Sequence, residues 1–188
     1  MKKWLFAALM LGGLAAGMAC ADVPKGWFVT GSAPGEFDVG TEAAPQGGAG
    51  RDAFIRAKSE SSGFATLMQT IDASAYRGKR VRLSGNLRTK DAGKGQLWLR
   101  IDGADRKPLG FDNMEQRAVK GDSAWQNFAI VLDVPADARD IAFGFLLAYK
   151  GQVWANDVKL DVVSNETPTT SAGPYGLPAA PVNLGFKD

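Results

Sequence analysis

The chain has 188 residues, 45% of them hydrophobic, which is enough for one ordinary domain with a core and thin for two. Its formal charge of +2 is accounted for by Lys2 and Lys3, so the remainder is neutral and has no field for gripping nucleic acid or an anionic membrane. Histidine is absent and Cys20 is the single cysteine, which excludes a Ser-His-Asp triad, an HExxH zinc site, zinc-thiolate sites and internal disulfides.

Residues 1–21 read as an export signal. Lys2 and Lys3 form a basic start, and Trp4 to Ala16 is apolar or small, too short for a stable membrane span. Ala19-Cys20-Ala21 fits small-x-small cleavage before Asp22. The alternative is a lipoprotein signal cut before Cys20, but Gly17-Met18-Ala19 lacks the Leu or Val usual three positions upstream. The expected compartment is periplasmic or extracellular.

From Trp27 onward the dominant period is two. Strands are predicted at 26–31, 36–40, 53–58, 64–71, 79–89, 95–102, 108–111, 125–133, 140–148 and 152–163. The clearest alternations are Val81/Leu83 and Leu97/Leu99/Ile101, followed by Phe128/Ile130/Leu132, Ile141/Phe143/Phe145/Leu147 and Val158/Leu160/Val162. Turn signals such as Tyr76-Arg77-Gly78-Lys79 and Asp91-Ala92-Gly93-Lys94-Gly95 separate them. At most, 73–76 forms a helical turn. Many short strands with Gly-rich turns predict an all-β, two-sheet antiparallel β-sandwich of the jelly-roll kind over 22–163. The segment 164–188 carries Pro168, Pro174, Pro178 and Pro181 among Thr, Ala and Gly, which predicts an extended linker. Within it, Asn183-Leu184-Gly185-Phe186 is locally strand-like.

A series of phrases carries a resemblance. Pro24-Lys25-Gly26-Trp27, Phe64-Ala65-Thr66-Leu67-Met68-Gln69, Leu97-Trp98-Leu99-Arg100-Ile101-Asp102-Gly103, Phe111-Asp112-Asn113-Met114, Val131-Leu132-Asp133-Val134-Pro135 and Gly151-Gln152-Val153-Trp154 follow in order. Over about 24–163 the chain resembles jelly-roll, galactose-binding-like modules similar to carbohydrate-binding modules. Similar stretches accompany secreted serine peptidases of the C-terminal-processing type or AraC-type transcription regulators. The sequence holds neither a peptidase domain nor a helix-turn-helix pattern, so the resemblance implies the fold and not those activities.

Several residues are candidates for ligand binding. Trp98, Arg100 and Asp102 oppose Leu97, Leu99 and Ile101, and Arg82, Ser84, Asn86 and Arg88 oppose Val81, Leu83 and Leu87. If the two strands are neighbours, one polar sheet face bears an indole, guanidinium groups and amides, which suit a sugar ring and its hydroxyls. Against this, Trp98 packs beneath a loop and Arg100 pairs with Asp112 or Glu115. Asp112, Asn113 and Arg117 either supply orienting hydrogen bonds or form an Asx-turn anchoring a crossover. Trp154 is either a platform or core. Asp102, Asp112 and Glu115 are the carboxylates from which a glycosidase pair would be drawn, but they are more simply turn caps or arginine partners. No cofactor is expected, and Asn156-Asp157 alone is weak support for a structural calcium ion. The expected function is an exported, non-catalytic module that binds a carbohydrate or cell-envelope glycan, without nucleic acid and without a stable membrane span. The alternatives are a protein-interaction module and, third, an enzyme.

Overall fold

A computed structural model describes residues 23–44, 50–170 and 184–185. The expectations for the export signal, Cys20, Asn183 and Phe186 lie outside the described residues. Among the described residues nine antiparallel strands form the fold: β1 (Phe28–Gly31), β2 (Phe37–Ala43), β3 (Arg51–Ala57), β4 (Phe64–Asp72), β5 (Arg80–Gly103), β6 (Pro108–Asp112), β7 (Val119–Asp133), β8 (Ala138–Ala148) and β9 (Gln152–Val163). Among the described residues there is no α-helix, only three-residue 3-10 turns at Pro34–Glu36 and Glu115–Arg117.

The strand β5 organises the molecule. Its first half, 80–90, pairs with β7 on one side and β9 on the other. Its second half, 94–103, pairs with β8 and β6. Hydrogen bonding therefore runs without a break in the order β1-β4-β8-β5-β9-β3-β2, with β6 and β7 also on β5. Physically these are two faces of a sandwich: sheet I is β1-β4-β8-β5-β6 and sheet II is β2-β3-β9-β5-β7. Leu97, Leu99, Ile101, Phe143 and Phe145 of sheet I share one buried cluster with Leu83, Leu87, Ile55, Ile130 and Val153 of sheet II. The architecture is the expected all-β jelly-roll sandwich.

The expected turn at 91–95 is instead a bend inside β5. Asp91 takes a positive φ of 48° there. Gly93 is required by close approach, since a Cβ at that position would lie 2.9 Å from the Tyr149 Cβ. Lys150 holds the bend from outside through its ammonium on the Asp91 carboxylate at 2.9 Å. In consequence 79–89 and 95–102 are not neighbouring strands, and their polar sides do not merge into one face.

The segment after β9 also differs from a free linker. Arg80 donates to the carbonyls of Asn165 and Thr167, each at 2.7 Å, and clasps Asp133 with its other nitrogens. Thr170 donates its backbone N–H to the Val131 carbonyl at 2.9 Å, and its hydroxyl to Asp112. Residues 164–170 thus lie against the sandwich beside β7.

Candidate functional site: a groove over sheet I

Alternation along β5 sends Leu97, Leu99 and Ile101 inward and Trp98 and Arg100 outward, as read from the sequence. On the neighbouring strand Gly144 stands opposite Trp98, and Met68 of β4 stands opposite Gly144. With no side chain at 144, Trp98 and Met68 close over the gap together with Ala142 and Leu146. The Trp98 indole N–H donates to Thr66 Oγ1 at 2.8 Å, and the Thr66 hydroxyl donates to the Phe145 carbonyl at 2.8 Å. Trp98 is only 7% exposed. It is the floor of the outer face of sheet I, held by packing and hydrogen bonds, and not an open stacking platform.

Above this floor lies a groove of about 500 Å³. Its aromatic lining comes from Phe64, Phe111 and Tyr149, of which Phe111 is 40% and Tyr149 42% exposed. Tyr149 sits at φ 74°, in the left-handed region, which turns the chain sharply after β8 at the groove's edge. Gln96, Arg100 and Asn113 supply the polar lining. Gln96 donates to the Asn113 carbonyl at 2.6 Å.

The charged groups of the groove are internally matched. Lys94 pairs with Glu115, and its ammonium also lies 5.9 Å from the centre of the Tyr149 ring. The hydrogen bond from Lys94 holds the Glu115 carboxyl below the usual carboxylate range, and the same bond holds the Lys94 ammonium above the usual lysine range. Arg100 pairs with Asp102, two residues along the same side of β5, with Nη2 to Oδ2 at 2.8 Å. The alternative partners expected for Arg100, Asp112 and Glu115, are engaged elsewhere.

Of the residues singled out in the sequence, Trp98, Arg100, Asn113 and Glu115 come together at this groove. Asp112 and Arg117 do not. Asp112 Oδ1 accepts the Met114 N–H at 2.7 Å, while Oδ2 takes the Arg117 guanidinium and the Thr170 hydroxyl. Arg117 also donates to the Ala129 carbonyl at 3.0 Å. The pair closes the Asx-turn between β6 and β7 and anchors the crossover. Arg82 lies on sheet II, 3.6 Å from Asp161. Trp154 is also on sheet II, 8% exposed, with its indole N–H on Glu42 at 2.6 Å. Asn156 is committed to Asn86 and Asp52 through its amide, and Asp157 lies 3.9 Å from Lys159. Among the described residues no group of three or more Asp, Glu, His or Cys is placed to hold a metal ion.

The sequence does not single out Phe64, Gln96, Phe111 or Tyr149 as site residues, and the structure places all four in the groove. The available signal was the placement of large aromatics beside polar residues at strand ends, Phe111 before Asp112-Asn113 and Tyr149 before Lys150-Gly151.

The geometry has counterparts among known proteins. A xylan-binding CBM22-1 domain of Paenibacillus barcinonensis Xyn10C superposes with a TM-score of 0.55 at 11% identity, over 77% of this chain and 90% of that one. The enzymatically active domain of bacteriophage CBA120 tailspike protein 4 gives 0.59 at 14% identity, over 74% of this chain and 20% of the tailspike chain. These likenesses are of fold: the chain shares the jelly-roll architecture of carbohydrate-binding modules. By sequence it is 39% identical over 168 residues to a protein named as the uncharacterized HTH-type transcriptional regulator YbfP of Bacillus subtilis strain 168. That match takes in 87% of this chain, which spans 57% of the regulator's length. No family model matches.

Proposed function

We propose that the chain is an exported, non-catalytic module that binds a carbohydrate, such as a cell-envelope glycan, in the groove over sheet I. The observation that carries this reading is the meeting of Phe64, Phe111 and Tyr149 with Gln96, Arg100 and Asn113 over a floor fixed by Trp98 and Thr66. Aromatic faces take the apolar side of a sugar ring, and amides and paired ions exchange hydrogen bonds with its hydroxyls. A pre-formed floor lowers the ordering cost of binding. The fold shared with a xylan-binding domain supports the same ligand class. Export rests on the basic and apolar pattern of residues 1–21.

A non-catalytic role is supported by the state of the carboxylates. Asp102, Asp112 and Glu115 are each engaged by a cation. A glycosidase acid needs a raised pKa, and Glu115 is pushed the opposite way.

The second reading is a protein-interaction or regulatory module, favoured by the match to a named transcription regulator. A helix-turn-helix needs two helices, and the described residues contain none, so this reading takes the module itself and not its DNA contacts. Affinity electrophoresis of the full chain in gels containing xylan, mixed-linkage β-glucan, galactan or solubilised peptidoglycan tests the proposal. Retardation by at least one glycan, weakened about tenfold or more by Phe111→Ala, is expected. Migration unchanged in every glycan, or equal retardation of Phe111→Ala, refutes it.

A further inference from the structure

The outer face of sheet II presents three rows of side chains across its strands. In the first, Asn127 donates to Asn86, Asn86 to Asn156, and Asn156 to Asp52, at 3.0, 3.0 and 2.9 Å. The next row holds Trp125, Arg88, Trp154 and Phe54, since Arg88 is paired with Trp154 and Trp154 with Phe54. The third row holds Lys90, Gln152 and Arg56, paired in the same way. Successive rows are two residues apart along each strand, about 7 Å.

Arg88 is the unusual member. Its guanidinium lies 4.1 Å from the centre of the Trp154 ring and 5.3 Å from that of Trp125. Among the described residues it makes no hydrogen bond and no ion pair, and its Nε is buried without a partner. Gln152, 8% exposed, spends its Oε1 on Arg56 at 2.8 Å and leaves its buried Nε2 without an acceptor. Lys90, adjacent on the same face, has no carboxylate partner among the described residues either. A cavity of about 350 Å³ opens beside them, lined by Arg88, Lys90, Thr89, Ser123, Asp122 and Trp154. Asp122, the acid in that lining, already accepts the Asp91 N–H at 2.6 Å.

This is the reverse of the groove on sheet I, where each cation has its acid. A guanidinium with ring faces at 4.1 and 5.3 Å keeps its N–H edge available, and that edge fits a carboxylate in two parallel hydrogen bonds. Partial burial lowers the local dielectric and strengthens the attraction for an incoming anion. The half-buried Trp125 ring and the Asn127 amide, beside it on β7, offer a stacking surface and a hydroxyl partner on the same side. We infer that sheet II carries a second ligand face, which takes the carboxylate of an acidic saccharide, a uronic acid residue, on Arg88 with Lys90 adding charge and Trp125 receiving the ring. The site shares no residue with the groove and does not depend on it.

Affinity electrophoresis of the full chain in polygalacturonate and in alginate tests this, with fully methyl-esterified polygalacturonate and poly-L-glutamate as the neutral and polypeptide counterparts. Retardation by at least one of the two uronates is expected, falling as salt is added. The methyl ester and poly-L-glutamate should retard the chain far less. Arg88→Gln should weaken uronate binding about tenfold or more, and Lys90→Gln several-fold, with Phe111→Ala unchanged. Lys90 is exposed and outside the core, so its variant reports on the site even if Arg88→Gln fails to fold. The assignment is overturned by absence of retardation in both uronates or by equal retardation in the methyl ester. Equal retardation in poly-L-glutamate would make the ligand an acidic polypeptide and also overturns it, as does undiminished binding by Lys90→Gln.

Discussion

Replacing Thr66 by Val tests whether the groove floor is fixed by hydrogen bonds or by packing alone. The two side chains have nearly the same shape, so the substitution removes one hydroxyl and little volume. Thr66 is 3% exposed, and its Oγ1 accepts from the Trp98 indole and donates to the Phe145 carbonyl, both at 2.8 Å. Valine strands the indole N–H beneath Met68 and Leu146, where Trp98 at 7% exposure has little water to turn to. A buried donor left unsatisfied costs about 1–3 kcal/mol, and the lost bond to the carbonyl adds about 1 kcal/mol. The expected destabilisation is about 2–4 kcal/mol, or a fall in Tm of roughly 5–15 °C for a domain of this size. Thr66→Ser keeps the hydroxyl and should cost only about 1 kcal/mol, the value of the lost methyl. Urea denaturation of Thr66→Val, Trp98→Phe and the double variant gives the coupling, expected at about 1–2 kcal/mol because phenylalanine removes the stranded donor. A Thr66→Val protein within about 0.5 kcal/mol of the parent, or additive single effects, would show that packing alone holds the floor.

Leu83→Ala should cost about 2–5 kcal/mol in the same assay, because Leu83 is wholly buried, whereas Arg82→Ala beside it should cost under about 0.5 kcal/mol. The reverse order would mean the register of β5 is wrong. The pair of Glu115 and Lys94 fixes a pH window. A lowered carboxyl pKa makes its contribution present above the ordinary carboxylate value and lost as pH falls through the lowered one, and a raised lysine pKa makes it lost only as pH rises through that raised value. Carbonyl NMR should therefore show Glu115 titrating below the normal range and returning to it in Lys94→Gln; an unmoved midpoint would remove Lys94 as the cause. Arg80→Ala removes both hydrogen bonds to the Asn165 and Thr167 carbonyls, so limited proteolysis should cut within 164–170 faster than in the parent. An unchanged rate there would show that Thr170 alone secures the segment.

Strand parity was legible because burial on one side imposes a period of two. Leu97, Leu99 and Ile101 face the core and Trp98 and Arg100 do not, as their alternation indicates. The join between 79–89 and 95–102 was not legible. Gly93 and Gly95 signal a turn in sequence, whereas their absent side chains here make room for Tyr149, and for Thr89 and Val153. Glycine needed for close approach and glycine needed for a turn read alike. Exposure on the outward face was hidden for a related reason. Trp98 points away from the core, yet Met68, 30 positions earlier, covers it through the gap left by Gly144. Asp112 and Arg117 were partly legible, since an Asx-turn is local, but the Thr170 hydroxyl that completes their cluster comes from 58 residues further along. The stacking of Arg88 between Trp125 and Trp154 had no local signal, because three separate strands contribute it.

The wiring around β5 bears on the order in which the chain can fold. β3 and β5 are not paired with each other in sheet II; β9 lies between them and is hydrogen-bonded to both. Sheet I has the same backbone pattern, because β4 and β5 are each hydrogen-bonded to β8 and not paired with each other, although Trp98 reaches Thr66 across it. The spacers β8 and β9 are thus delivered after the strands they join, so a growing chain has β3, β4 and β5 out before the backbone ladders between them can form. Pairings separated by about 100 residues, such as Phe54 with Trp154, carry the loop-closure cost of slow folding. Sheet I gains its joining strand when β8 is made and sheet II when β9 follows, so the two halves close in succession on the single strand they share.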